Sequence, residues 1–245
     1  MDRMIYVAMS GAQQTMRALQ TTTNNLANVN TTGFRADLNY FQSQPLDGEA
    51  ATTRTFVETG DAGYDFSHGG LVQTGRDLDV AINGDGFFSV LSPNGGEAYT
   101  RAGDLHVDAS GFLVNGKGQQ MMGNGGPIAL PPFEKIEIGG DGTLSIRPAG
   151  SSAEALVVID RLRLVKPDLD LLVKGEEGLF TQGEQAAPVD ASVQVVSGAV
   201  ESANVNAIEA LVQMVSLSRQ FETQVKMMRS ADENAEYAQQ LLSDS

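Results

Sequence analysis

The chain has 245 residues, with 16 Lys and Arg against 31 Asp and Glu, which gives a formal net charge of −15 at pH 7. A surface of this charge repels polyanions, so the composition argues against binding to nucleic acid or to anionic membranes. The chain has no Cys and only two His. The absence of Cys excludes disulfides and thiolate metal sites. With two His, an imidazole metal site or a catalytic triad is close to excluded as well.

The N-terminus does not resemble a membrane anchor or a cleaved secretory signal. Its longest apolar run, Met4–Met9, is far shorter than the roughly 18 residues of a membrane-spanning helix. Asp2 offsets the charge of Arg3, and no small-residue cleavage site follows. We therefore expect either a cytosolic protein or one exported by a route that leaves the N-terminus intact.

Helix-breaking residues are concentrated in the middle of the chain. Of the 27 Gly, 20 lie between Gly60 and Gly150 and none follows Gly198, and all 8 Pro lie between Pro45 and Pro188. Because Gly and Pro disfavour helix interiors and favour turns, this distribution predicts helical ends around a β-rich centre.

The N-terminal segment has the periodicity of an amphipathic helix. Its apolar stripe, with six apolar members out of seven, consists of Ile5, Met9, Ala12, Met16, Leu19, Thr23 and Leu26. Asp2 is placed to cap the start, and residues 28–33 supply a stop. Gly11 lies inside this helix, where Gly costs about 1 kcal/mol relative to Ala, so we expect another helix to approach closely there.

The centre alternates between apolar and polar residues in short runs separated by turn sequences. Three such pairs of runs lie at 78–90 around the turn 83–86, at 105–114 around 108–111, and at 136–146 around 139–142. Alternation interrupted by Gly, Asn and Asp predicts antiparallel strands joined by hairpin turns, and strands are expected to continue through Leu156–Val165. The polar segment before this region lacks periodicity and is predicted to be an extended connector.

The C-terminal segment repeats apolar residues at 4-3 spacing. From Ala207 the stripe continues through Leu211, Met214, Ser218, Phe221, Val225, Met228, Asp232, Ala235, Gln239 and Leu242. Asn206 followed by Glu209 resembles a capping box. A strict seven-residue repeat is typical of a coiled-coil seam, although two amphipathic helices that pack on the chain's own core would give a similar stripe.

The sequence contains only fragments of catalytic or ligand-binding motifs. Gly84-x-Gly86 and Gly116-x-Gly118 do not open helices, as a phosphate site would require, and a calcium loop beginning at Asp77 fails at Ala81. His68 and His106 are isolated. No carboxylate pair stands out, although an acidic β-rich protein always offers candidates for a glycosidase. We therefore expect no cofactor, no metal and no small-molecule substrate.

Five ordered motifs and the opening residues carry a resemblance to a known family. They are found at 24–35 (NNLANVNTTGFR), 75–88 (GRDLDVAINGDGFF), 99–105 with 111–114 (YTRAGDL and GFLV), 175–180 (GEEGLF) and 197–206 (SGAVESANVN). In this order they resemble the bacterial flagellar rod and hook proteins along the whole chain. The opening residues, 1–12, are more similar to proximal rod members of the family than to distal ones. Ala203 departs from the expected Ser-type residue.

The resemblance implies a non-enzymatic structural subunit of the flagellar basal body, in the proximal rod. Such a subunit assembles helically with copies of itself and with other proximal and distal rod proteins, forming the drive shaft that crosses the periplasm for motility. It is exported by the flagellar type III apparatus without a cleaved signal peptide. The alternatives are a distal rod or hook subunit of the same family, or a secreted β-rich hydrolase.

The predicted organisation has four parts. Residues 1–33 form an N-terminal axial helix, 34–70 an extended connector, 71–197 a β-rich outer domain with antiparallel hairpins, and 198–245 a C-terminal axial helix that packs with the first. The two terminal helices are expected to form an inter-subunit coiled-coil layer.

The expected assembly interface lies on the two terminal helices. Its residues are Ile5, Met9, Gly11, Ala12, Met16, Leu19, Asn24, Asn25, Leu26 and Asn28 in the first helix and Leu211, Met214, Phe221, Val225 and Met228 in the second. Because Asn lowers helix propensity inside a helix, we expect Asn24 or Asn25 to make a polar contact that fixes the register with a neighbouring subunit.

Overall fold

The structure is a computed structural model that describes residues 2–39, 41–45, 55–59, 63–150, 156–183 and 186–243. The chain divides into two compact units. The helical unit is formed by Met1–Val29, Arg35–Asp65 and Val205–Ser245, and the β unit by Asn30–Phe34 and Phe66–Asn204. The prediction of a mainly β centre flanked by two terminal helices is confirmed.

The helical unit consists of two long helices and one pair of strands. Helix α1 spans Asp2–Ala27 and packs against α2, which spans Ala207–Ser243. Strand β1, Phe41–Pro45, pairs antiparallel with β2, Thr55–Thr59. The flanks of this strand pair are also joined, because Leu38 donates its N–H to the Gly63 carbonyl at 2.8 Å and Asp65 donates to Ala36 at 2.9 Å. The segment predicted to be an extended connector therefore contains a strand pair.

The helix ends follow the predicted capping chemistry. The Asn206 Oδ1 accepts hydrogen bonds from the backbone N–H groups of Ile208 at 3.1 Å and Glu209 at 3.3 Å, which satisfies two donors at the start of α2. At the end of α1, the Asn28 side chain donates to the Asn24 carbonyl at 2.9 Å. The cap predicted at Asp2 depends on a side chain outside those that the structure describes.

The β unit contains fourteen of the described strands, and every strand pair in it is antiparallel. The strands are β3 Leu71–Gln73, β4 Val80–Asn83, β5 Phe87–Leu91, β6 Glu97–Thr100, β7 His106–Val107, β8 Leu113–Val114, β9 Phe133–Ile138, β10 Thr143–Pro148, β11 Val157–Arg161, β12 Leu164–Val165, β13 Val173–Lys174, β14 Phe180–Thr181, β15 Gln194–Ser197 and β16 Ala199–Glu201. They form a five-stranded sheet in the order β12-β5-β6-β14-β13, a three-stranded sheet β11-β10-β9, and the pairs β15-β4, β16-β3 and β7-β8.

Two of the three predicted hairpins are confirmed and one is wrong. Strands β7 and β8 pair across the turn 108–111, and β9 and β10 pair across 139–142. The turn 83–86 instead connects two sheets, because β4 pairs with β15 whereas β5 pairs with β6 and β12. The cause is visible in the burial of β4, in which Val80, Ala81 and Ile82 are all buried. A strand buried on both faces lies inside the unit, where a segment from elsewhere in the chain, such as β15, can pair with it as readily as the next strand does.

The core of the β unit is drawn from strands throughout residues 80–195. Its fully buried side chains include Phe88, Leu105, Leu113, Leu144 and Ile146. They come from strands and connections separated by tens of residues, so the hydrophobic contacts of this unit are largely non-local.

We expect Leu144→Ala to lower the free energy of unfolding of the β unit by about 2–5 kcal/mol, because it leaves a cavity in a fully buried part of β10. Urea denaturation followed by the β-sheet circular dichroism signal measures the change. Val158→Ala on the neighbouring strand β11 is the matched control, since Val158 is exposed. Equal stability losses in the two variants would contradict the assignment of Leu144 to the core.

Candidate assembly interface

Helix α2 presents an almost wholly apolar seam to the interior of the helical unit. The inward positions recur at 3-4 spacing and are buried or half-buried: Ala207, Ala210, Met214, Leu217, Phe221, Gln224, Met228 and Ala231. Gln224 is the polar member of this set. The repeat of seven keeps one narrow face of the helix turned towards its partner.

The inward face of α1 is made mainly of small residues. Its buried members are Ala8, Ala12, Thr15, Ala18 and Thr22. Gly11 lies in the same face, and a Cβ added there would be 2.9 Å from the Gln224 Nε2. The close approach of another helix expected at Gly11 is thus present, and it comes from α2 of the same chain.

The stripes read from the sequence divide between the seam and the exposed surface. On α1, Ala12 is buried and Ile5, Leu19 and Leu26 are half-buried, whereas Met9 and Met16 are exposed. A stripe chosen by hydropathy favours large side chains, while closely packed helices favour small ones at the contact. At two positions the seam of α1 therefore lies one residue before the predicted stripe, with Ala8 in place of Met9 and Thr15 in place of Met16.

A similar displacement occurs on α2. Met214, Phe221 and Met228 lie in the seam as half-buried side chains, and Val225 is half-buried beside it. Leu211 is 50% exposed. The last apolar positions of the predicted stripe, Ala235 and Leu242, and the polar Gln239 lie outside the side chains that the structure describes.

The exposed positions of α2 form a second apolar surface, which we call the α2 apolar face. It consists of Ile208, Leu211, Val212 and Val215, all at least half exposed. Their spacing places them on one side of the helix, beside a shallow depression of about 410 Å³ that Ser216 and Arg219 complete. Exposed apolar surface of this kind marks a site of interaction.

The exposed apolar residues of α1 lie in its first four turns. They are Tyr6, Val7, Met9 and Met16. Both helices therefore carry large apolar side chains outside the seam in which they pack against each other. No described helix is both long and apolar enough to cross a membrane.

All three asparagines expected at the interface have partners within the helical unit. The Asn25 amide donates to the Asp37 carbonyl at 2.8 Å, and its Oδ1 accepts the Asp37 N–H at 2.9 Å. This pair of bonds holds the chain segment after α1 against the helix. Asn28 bonds to Asn24 at the helix end, as described above, and Asn24 is otherwise exposed.

The β unit contains a buried ion pair that the sequence did not reveal. The Arg101 Nε donates to Glu201 Oε2 at 2.7 Å, and both side chains are almost fully buried. The Arg101 Nη1 also donates to the carbonyls of Gly84 at 2.9 Å and Gly86 at 2.6 Å. Both charged residues lie inside the family motifs, but one sequence gives no sign that residues 100 positions apart form a pair.

Glu201 also accepts hydrogen bonds from two further segments of the β unit. Its Oε1 accepts the Gly69 N–H at 2.9 Å, and its backbone carbonyl accepts the Gly33 N–H at 2.8 Å. Gly33 has φ +66, and a Cβ there would collide with the backbone of Arg101. The glycine of the N-terminal motif is therefore required both for its conformation and for its close approach to Arg101.

His68 is bound at the edge of this network. The Arg101 guanidinium can only donate, so the His68 Nδ1 at 2.8 Å from Nη2 accepts. The other ring nitrogen lies 3.3 Å from Asp85 Oδ1. The Lys166 ammonium, hydrogen-bonded to Asp85 at 3.0 Å, lowers the pKa of that carboxyl below its usual value. Among the residues that the structure describes, no group of three His, Asp or Glu is placed to hold a metal ion.

A β unit with its own core, together with two terminal helices that pair and still expose apolar faces, is the arrangement of a structural, interacting protein. Three family models match the chain. Flagella basal body rod protein matches residues 5–35, the flagellar hook protein FlgE/F/G D1 domain matches 81–146, and the flagellar basal body rod FlgEFG protein C-terminal region matches 196–241.

Curated relatives match along their full length. The chain is 40% identical over 252 residues to the flagellar basal-body rod protein FlgF of Escherichia coli, covering all of both chains. It is 32% identical to FlgF of Caulobacter vibrioides, covering 95% of each, and 32% identical to the flagellar basal-body rod protein FlgG of Bacillus subtilis, covering 95% of this chain and 96% of that one. The chain belongs to the flagellar basal-body rod protein family.

We expect Glu201→Gln to lower the free energy of unfolding of the β unit by about 3–5 kcal/mol, because it leaves the buried Arg101 charge without a carboxylate. Urea denaturation measures this loss. The control is Glu137→Gln, which removes an exposed partner of Lys135 and should cost less than about 1 kcal/mol. A loss at Glu201 no larger than that of the control would show that the ion pair does not organise the unit.

We expect Asn25→Leu to destabilise the segment after α1 by about 1–3 kcal/mol, because both backbone groups of Asp37 lose their side-chain partner. Native-state hydrogen exchange at the Asp37 amide measures the effect directly. Gln20→Leu, on an exposed position of α1, should leave that amide unchanged. Unchanged exchange at Asp37 in Asn25→Leu would mean that the amide bonds do not hold this segment.

Proposed function

We propose that this chain is a structural subunit of the flagellar basal-body rod, located in its proximal part, which assembles with copies of itself and with other rod proteins. The full-length similarity of the chain to basal-body rod proteins supports its assignment to the rod. Its 40% sequence identity to FlgF from Escherichia coli supports the proximal position. The observation that carries the proposal is the α2 apolar face, together with exposed Met9 and Met16 on α1.

Burial of these faces between subunits supplies the assembly energy. Fully burying a Leu, Val or Met side chain contributes roughly 1.5–3 kcal/mol, and these side chains are about half exposed in the isolated chain. A contact in which the exposed face of α1 in one copy meets the exposed face of α2 in the next, without the reciprocal contact, is heterologous. A heterologous contact that does not close into a ring builds a helical array.

The rod subunit acts mechanically rather than as a catalyst, and we expect no turnover of peptidoglycan by the purified chain. Its place is the part of the basal body that crosses the periplasm, which it reaches through the flagellar type III export apparatus without removal of a signal peptide. Locating a tagged copy along the axis of isolated basal bodies tests the proximal position. A tag found only in the distal rod or hook would refute that position while leaving the structural role intact.

We expect Val212→Asp to prevent incorporation into the rod, because it places a charge at the centre of the α2 apolar face. Swimming of cells in which the variant replaces the native chain, and recovery of the variant in isolated basal bodies, measure the effect. Since Val212 is 66% exposed, the melting temperature of the purified chain should change little.

Gln213→Asp is the control for this substitution, since it adds the same charge at the adjacent exposed position outside the apolar face. Normal swimming is expected for this variant. If Val212→Asp subunits also enter basal bodies at the native level, the α2 apolar face is not an assembly surface.

A further inference from the structure

Among the described inward positions of α1 and α2, Thr15 and Gln224 make a polar contact across the seam. The Thr15 hydroxyl lies 2.9 Å from the Gly11 carbonyl of its own helix and 3.2 Å from the Gln224 Oε1 of the opposite helix. Thr15 is 4% exposed and Gln224 is half-buried, so this contact is partly shielded from water. The remaining inward positions of α2 in this set are apolar, which makes Gln224 exceptional in the repeat.

Gly11 supplies the room that Gln224 occupies. A Cβ at this position would lie 2.9 Å from the amide nitrogen and 3.3 Å from Cδ. Because the amide is the flexible end of a long side chain, an added methyl group would push it aside rather than prevent packing. The displaced amide would then lose the Thr15 hydroxyl and be left in an apolar seam.

Apart from this contact, the seam does little to specify how the helices align along their axes. The inward face of α1 is a run of small side chains, and α2 repeats every seven residues. A shift of seven residues would therefore keep apolar groups opposite apolar groups. The shift would, however, replace Gly11 by Ala18 or by Met4, and Thr15 by Thr22 or by Ala8. Only the observed alignment gives Gln224 both the space and the hydroxyl.

We propose that Gly11, Thr15 and Gln224 form a register lock that fixes the axial alignment of α1 against α2. A single polar residue in an apolar seam sets register in this way in coiled coils, at some cost in stability. The lock determines which exposed side chains of the two helices lie side by side. Its consequence for assembly rests on the proposed function, but the alignment itself is a property of the isolated chain.

The alignment is measurable in the full chain because the sequence has no Cys. Spin labels attached to Gln20→Cys on α1 and Asp232→Cys on α2, both exposed positions at different heights along the helix axes, report one distance between the helices by pulsed electron paramagnetic resonance. A shift of seven residues moves one helix by about 10 Å relative to the other, which such a measurement resolves easily. The parent chain is expected to give one narrow distance distribution.

Three variants remove one part of the lock each. Gln224→Met keeps the length of the side chain and its helix propensity, Thr15→Val keeps the shape, and Gly11→Ala fills the space. Each is expected to add a second distance or to broaden the distribution. Gly11→Ala is especially informative, because a purely local role of Gly11 predicts only increased helix content from the better helix former.

Matched controls separate the lock from general effects of substitution. Thr22→Val removes a buried hydroxyl that donates to Ala18 within α1, and Gln220→Met makes the same change as Gln224→Met at an exposed position of α2. Both should retain the single distance. If Gln224→Met loses helical circular dichroism, the variant has unfolded, and the proposal is then tested with Thr15→Val. A single unchanged distance in Thr15→Val, or a broad distribution already in the parent chain, overturns the proposal.

Discussion

The buried ion pair between Arg101 and Glu201 is the constraint on which the β unit depends. Burying two charges is costly unless every donor and acceptor on them is satisfied. Here the Glu201 carboxylate accepts the Gly69 N–H in addition to its bond with Arg101. The Arg101 guanidinium also donates to the carbonyls of Gly84 and Gly86. The positions of those backbone groups follow from the pair, so four stretches of sequence far apart in the chain are fixed around one centre.

This constraint explains why the family motifs contain glycine beside ordinary polar residues. At Gly86, for example, the backbone carbonyl accepts a hydrogen bond from the buried guanidinium, and an added Cβ would strike the Val193 side chain. Many kinds of turn share glycine and acidic residues, which is why the sequence contains fragments of phosphate-loop and calcium-loop patterns. In the motif at 75–88, the glycines instead bring two backbone carbonyls to an internal ion pair.

Local features of the fold could be predicted from the sequence, and features that depend on distant partners could not. The helices follow from long stretches free of Gly and Pro, and the hairpins at 108–111 and 139–142 follow from turn chemistry between neighbouring strands. The pairing of β4 with β15 joins residues more than 100 positions apart, and a single sequence carries no signal for it. Within the helix pair, hydropathy alone placed Met16 in the seam, where small residues such as Thr15 pack instead.

The composition of that seam has a thermodynamic consequence. On the α1 side of the seam, Ala, Gly and Thr bury little apolar area, so the pairing of α1 with α2 contributes less stabilisation than it would if Leu and Ile lined both sides. The larger side chains, such as Leu211 and Met16, remain exposed in the isolated chain. Any partner that covers them binds the ordered helix pair and not the unfolded one, so its binding energy adds to the stability of the helices. The terminal helices are thus built so that their full stability is reached only together with a partner, whereas the β unit owes its stability to contacts of its own.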